Sequence, residues 1–88
     1  MTFDINIKEK SQKFISSLQK KDRERLKEAI LVLKEEPVPI KSLDIAKLKG
    51  EKNTYRIRKG KLRIVYEVIW EQKLIMIHRV DFRGDVYE

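Results

Sequence analysis

The chain opens on strict alternation. Phe3, Ile5 and Ile7 are apolar, and Thr2, Asp4 and Asn6 between them are polar, as a short strand with one buried face requires. From about Lys8 the period lengthens. Phe14, Ile15 and Leu18 fall on one side of a helix, with Lys and Ser elsewhere. Lys20-Lys21-Asp22 is expected to break this helix, with Asp22 as the N-cap of a second one. There Leu26, Ala29, Ile30 and Leu33 follow the i, i+3, i+4, i+7 rule, and Leu31 and Val32 widen the stripe. Two helices joined by a short break form an αα-hairpin. Pro37 and Pro39 end it, because neither can donate a backbone hydrogen bond. Residues 36–46 read as a linker with a turn over Leu43 to Ala46. Leu48 anchors the approach to the next strand, and Gly50 permits an unusual backbone angle ahead of the polar turn Glu51-Lys52-Asn53.

The second half alternates again. Strands are predicted over Thr54–Arg58, Leu62–Trp70 and Leu74–Asp81, with Glu71-Gln72-Lys73 as the last connection. Lys59-Gly60 sits where a two-residue hairpin turn belongs, with Gly at the second central position as a type I′ turn prefers. That turn places Arg58 opposite Lys61, Ile57 opposite Leu62, Arg56 opposite Arg63 and Tyr55 opposite Ile64. One face then carries Tyr55, Ile57, Leu62, Ile64 and Tyr66, continued by Val68; the other carries Arg56, Arg58, Lys61 and Arg63. The expected fold is α+β: an N-terminal strand and a helical hairpin packed on a mostly antiparallel four-stranded sheet, apolar face inward and cationic face outward.

Charge sharpens this picture. Like charges directly opposite each other weaken a strand pair by roughly 0.2–1 kcal/mol, and the predicted register has two such pairs, with no carboxylate on that face before Glu67. Arginine forks match phosphate bidentately, so an anionic ligand, phosphate first, is the reading of this face. A solvated edge that deters aggregation is the bland alternative, but edge protection favours Lys and this face favours Arg. The whole chain agrees: 88 residues carry a net charge of +7 and a pI near 9.7, which points to an anionic partner. The length suits one domain, residues 1–88. Without cysteine no thiol chemistry is available. No apolar run has the length of a signal peptide or a membrane span, so a cytoplasmic protein without membrane association is expected.

Other chemistries find little support. The lone His78 has no partner histidine or cysteine, and no metal or cofactor is expected. His78 has the strand parity of Leu74, Met76 and Val80, which favours a structural, partly buried role. Three glycines build no nucleotide loop, and no serine or cysteine triad or placed carboxylate pair is visible. Arginines and aromatics remain. Arg83 follows the last strand and Tyr87 comes four residues later; both would lie over the basic face if that strand pairs beside its predecessor. Arginines around a phosphodiester stabilise the extra charge of a pentacovalent transition state, and a ring stacks on an unpaired base. Together they suit metal-free RNA cleavage by the 2′-hydroxyl. An ordinary packing role for Tyr87 fits its spacing equally well.

The run Lys47-Leu48-Lys49-Gly50, Tyr55-Arg56-Ile57-Arg58, Gly60, Arg63-Ile64-Val65-Tyr66, then Val80, Arg83 and Val86-Tyr87 resembles the RelE branch of the RelE/ParE toxin superfamily, and its short archaeal members most. The resemblance spans nearly the whole chain; the Arg-Ile-Val-Tyr strand after a Gly turn is its most specific part. It implies a microbial-ribonuclease-type fold, mRNA cleavage in the ribosomal A site, and neutralisation by a cognate RelB-like antitoxin. By the same resemblance, Arg63 stabilises the transition state, Arg83 is a second phosphate-binding arginine and Tyr87 stacks on the mRNA base. Arg56 and Arg58 stand where bacterial relatives carry two lysines, and Lys47, Lys49 and Lys61 are expected phosphate contacts. Arginine does not give up its proton as lysine can, so the general base is unassigned. Some relatives use a Glu–His pair; Glu67 and His78 do not match those positions, and the roles are not transferred. Two other readings stay open: a ParE-like toxin that poisons a DNA topoisomerase without cutting RNA, and a passive RNA- or ribosome-binding module.

Overall fold

A computed structural model describes residues 2–82. In chain order these form β1 (Asp4–Ile7), α1 (Glu9–Ser16), α2 (Lys20–Glu35), β2 (Asp44–Lys47), β3 (Thr54–Lys59), β4 (Leu62–Ile69), a 3-10 turn at Trp70–Gln72 and β5 (Leu74–Phe82). The strands make one five-stranded sheet in the order β1-β5-β4-β3-β2. Strands β2 to β5 run as an antiparallel meander, and β1 joins β5 in parallel. The α+β class, the helical hairpin and the N-terminal strand are as the sequence predicts.

The helices cover one face. Leu26, Ala29 and Leu33 of α2 are buried against Ile57, Leu62, Ile64, Tyr66, Val68, Ile75, Ile77 and Val80 of the sheet. The ring of Phe14 in α1 meets Phe82 edge-on at 5.1 Å. Tyr66 is fully buried, stacks on Tyr55 at 5.6 Å and donates its hydroxyl to the Pro37 carbonyl at 2.7 Å. That bond ties the segment after α2 to the sheet centre, and burial, with Tyr55 adding to it, pushes the Tyr66 hydroxyl well above the ordinary tyrosine pKa.

Four expectations need correction. Helix α2 starts at Lys20, with Gln19 in the N-cap position and no side-chain cap. Asp22 instead lies in the first turn, where its carboxylate complements the free N–H groups and pairs with Arg25 at 3.6 Å. The supposed linker contains β2, an edge strand whose Ile45 pairs with Ile57. The hairpin turn is Gly60-Lys61 rather than Lys59-Gly60: Lys59 pairs with Leu62, Arg58 with Arg63, Ile57 with Ile64, Arg56 with Val65 and Tyr55 with Tyr66. Gly60 holds φ +59 while Lys61 does not share the positive region, the pattern of a type II′ turn with Gly first. Finally, the β4–β5 register shifts between Val65 and Tyr66: Tyr66 pairs with Ile77, but Val65 pairs with Arg79. His78 is the extra residue of this bulge, which reverses the parity of β5. Val80 therefore joins Ile75 and Ile77 in the core, and His78 stays with Leu74 and Met76 on the opposite face.

Candidate functional site

The face of the sheet away from the helices is read from its register. Side chains on one face recur every ~6.6 Å along a strand, and neighbouring strands lie ~4.8 Å apart. One row across this face is Asp44–Arg58–Arg63–Asp81; the next is Ala46–Arg56–Val65–Arg79, with His78 beside Arg79; the third runs Thr54–Glu67–Met76. Arg56, Arg58 and Arg63 thus share the face that the alternation assigned to them. The register slip did not matter for this: it changed each partner by two positions, and only an odd shift moves a side chain through the sheet. It does reduce the two expected like-charge pairs to one, Arg58 opposite Arg63.

The guanidinium groups are not aimed at one point. Arg58 Nε donates to Asp44 Oδ2 at 2.9 Å, and Arg56 Nη1 stands 3.8 Å from Asp44 Oδ1. The sequence reading placed no carboxylate on this face before Glu67; Asp44 is one, delivered by the strand that was read as linker. Arg63 turns toward the hairpin tip, its Nη1 donating to the carbonyls of Gly60 and Leu62, both at 2.9 Å. Arg56 and Arg63 are buried, at 9% and 6% exposure, whereas Asp44 is half-exposed. Arg56 Nη1 is wholly buried and makes no hydrogen bond, so the Asp44 contact leaves it electrostatically paired but not saturated. The Asp44–Arg58 pair, about half-exposed on both sides, is of the kind worth only about 0.2–1 kcal/mol, so another anion can displace the carboxylate from it.

Of the lysines, Lys61 sits exposed in the hairpin turn and Lys49 in the turn after β2. Lys47 pairs with Tyr55, so its register puts it on the helix-side face at the sheet edge. Arg83 and Tyr87 lie outside the described residues. What the sequence reading missed is the pair Glu67–His78: Glu67 Oε1 lies 2.9 Å from His78 Nε2, on the arginine face. Both line a cleft of about 400 Å³ with Leu48, Glu51, Lys52, Thr54 and Val65. A bulge cannot be read from alternation, and no local spacing joins residues eleven apart on two strands. Among the described residues no group of three His, Cys, Asp or Glu is placed to hold a metal ion.

The chain is a small α+β domain with arginines clustered on one face of its sheet, and comparison with known proteins places it among toxins. Residues 6–87 match the family described as ParE toxin of the type II toxin–antitoxin system parDE. A Methanocaldococcus jannaschii protein carrying the name toxin RelE1 is 34% identical over 88 residues, covering 100% of this chain and 98% of the relative. The archaeal RelE–RelB complex of Pyrococcus horikoshii OT3 superposes with a TM-score of 0.85 at 35% identity, covering 98% of this chain and 100% of that one. The intact RelBE toxin–antitoxin complex of E. coli gives 0.79 at 25% identity, covering 93% and 98%. The chain belongs to the RelE/ParE family of type II toxin–antitoxin toxins.

Proposed function

We propose that this toxin is a ribosome-dependent, metal-independent endoribonuclease that cuts mRNA in the ribosomal A site and so halts translation in the cytoplasm. The observation that carries the reading is the placement of Arg56, Arg58 and Arg63 side by side on the face that the helices leave uncovered. The 2′-hydroxyl attacks the adjacent phosphorus, and the arginines meet the charge that grows on the phosphoryl oxygens. Asp44 holds Arg56 and Arg58 until the message's phosphate takes its place. Arg83 and Tyr87 are assigned the second phosphate contact and the base stack. Lys47, Lys49 and Lys61 extend the positive field that draws RNA in. The partners are the ribosome, mRNA and a cognate RelB-like antitoxin that covers the basic face; RelE relatives of this chain are seen bound to RelB.

The test is to add purified protein to ribosomes programmed with a defined message and to map the new RNA ends. Discrete cuts within the A-site codon are expected. The matching family is described as ParE toxin, and this favours one second reading, a non-nucleolytic topoisomerase poison. Topoisomerase-linked DNA breaks with an intact message would establish that reading instead.

A further inference from the structure

Cleavage by the 2′-hydroxyl needs a group that accepts its proton. A guanidinium keeps its own, so Arg56, Arg58 and Arg63 are unsuited. We propose that His78 is the general base and that Glu67 is its positioning residue, an assignment that rests on the ribonuclease reading above.

Four observations support it. Alternation along β5 puts His78 on the arginine face, and the bulge sets it beside Arg79 in the row of Arg56, with only Val65 between them. Two strand spacings, ~10 Å, separate β3 from β5 there, and Val65 between them lines the same cleft as His78 and Glu67. Second, Glu67 Oε1 fixes Nε2 at 2.9 Å. A carboxylate only accepts, so in the neutral ring Nε2 carries the hydrogen and Nδ1 keeps the lone pair a base needs. Third, the backbone of the bulge is held from behind: Ser11 of α1, itself buried, donates its hydroxyl to the His78 carbonyl at 3.1 Å. Ring and main chain are each tied by a separate element. Fourth, both residues line a cleft of about 400 Å³, within the range of small-ligand sites, and both stay partly open to solvent, at 27% and 38% side-chain exposure for His78 and Glu67.

In the step, Nδ1 of His78 takes the 2′-hydroxyl proton as the 2′-oxygen bonds to phosphorus. The bond from phosphorus to the 5′-oxygen breaks, and that oxygen takes a proton from water. The products are a 2′,3′-cyclic phosphate and a 5′-hydroxyl, and His78 then returns its proton to solvent. The charged groups around the ring are Glu67 from β4, Glu51 and Lys52 from the β2–β3 loop, Lys8 and Lys10 at the start of α1, and Arg79 and Asp81 on its own strand.

The experiment is single-turnover mRNA cleavage on programmed ribosomes, with ribosome binding and thermal unfolding measured on every variant. His78→Gln can still donate to Glu67 but cannot take a proton. It is expected to fold and bind as the parent does, to cut roughly 100-fold or more slowly, and to lose the acidic limb of the pH–rate profile. Added imidazole should restore cutting to His78→Ala, and Glu67→Gln should slow it roughly tenfold. A His78→Gln variant that cuts at the parental rate overturns the assignment while the nuclease reading stands. So does a His78→Ala variant that imidazole does not revive. If the parent itself leaves the message intact, the nuclease reading fails, and this inference with it.

Discussion

Asp44 shows what a single residue decides on this face. Its half-exposed carboxylate pairs with Arg58 at 2.9 Å and with Arg56 at 3.8 Å, so an incoming phosphate competes with an anion already in place. Asp44→Asn should therefore tighten binding of a short single-stranded RNA, by less than tenfold because the pair is worth about 0.2–1 kcal/mol. Fluorescence anisotropy reads this; weaker binding would mean that Asp44 orients the arginines rather than competing for them. Tyr66 makes the second residue-scale case. Its hydroxyl is buried on the Pro37 carbonyl at 2.7 Å and its pKa is raised, chiefly by burial. A raised folded-state pKa means that the stabilisation is complete below the unfolded value, about 10, and is lost as pH climbs through the folded one. Tyr66→Phe should cost about 1–3 kcal/mol at neutral pH by stranding a buried carbonyl, yet lose less stability than the parent above pH ~10. Urea titrations at both pH values check this. None of these partners is visible locally: Asp44 lies fourteen residues from Arg58, and Pro37 twenty-nine from Tyr66.

At the scale of elements, the β3–β4 hairpin was legible because alternation alone fixes which residues share a face. Tyr55, Ile57, Leu62, Ile64 and Tyr66 take the helix side despite a misplaced turn, since the pairing moved by an even step. The turn itself was misread because Gly60 can open a type II′ turn as readily as close a type I′ one. Its φ of +59 strains any other residue, so Gly60→Ala should cost about 1–2 kcal/mol in urea unfolding. The new Cβ would stand 2.8 Å from Arg25 Nη1, but that is the end of a flexible side chain and can swing aside. An unchanged midpoint would contradict the assigned turn. Strand β2 escaped notice because Asp44-Ile45-Ala46-Lys47 holds too little apolar alternation to stand out; pairing with β3 makes it a strand. The bulge at His78 is set by how β4 and β5 fit together, which no single strand's pattern records.

For the molecule as a whole, the net charge of +7 and arginines on the sheet face away from the helices fit the proposed reading of a toxin that meets an anion and is masked by a partner. The helices and β1 complete the core on the other face of the sheet, so Arg63, although buried and bonded to the Gly60 and Leu62 carbonyls, lies outside the apolar cluster, and its loss should cost some stability at the hairpin while the fold persists. The most direct measurement is the single-turnover rate of mRNA cleavage on programmed ribosomes for the parent and for Arg63→Ala, with unfolding followed alongside. A rate lower by roughly 100-fold or more in a variant that still folds and binds the ribosome is the predicted result. An Arg63→Ala protein that cuts as fast as the parent would contradict the account.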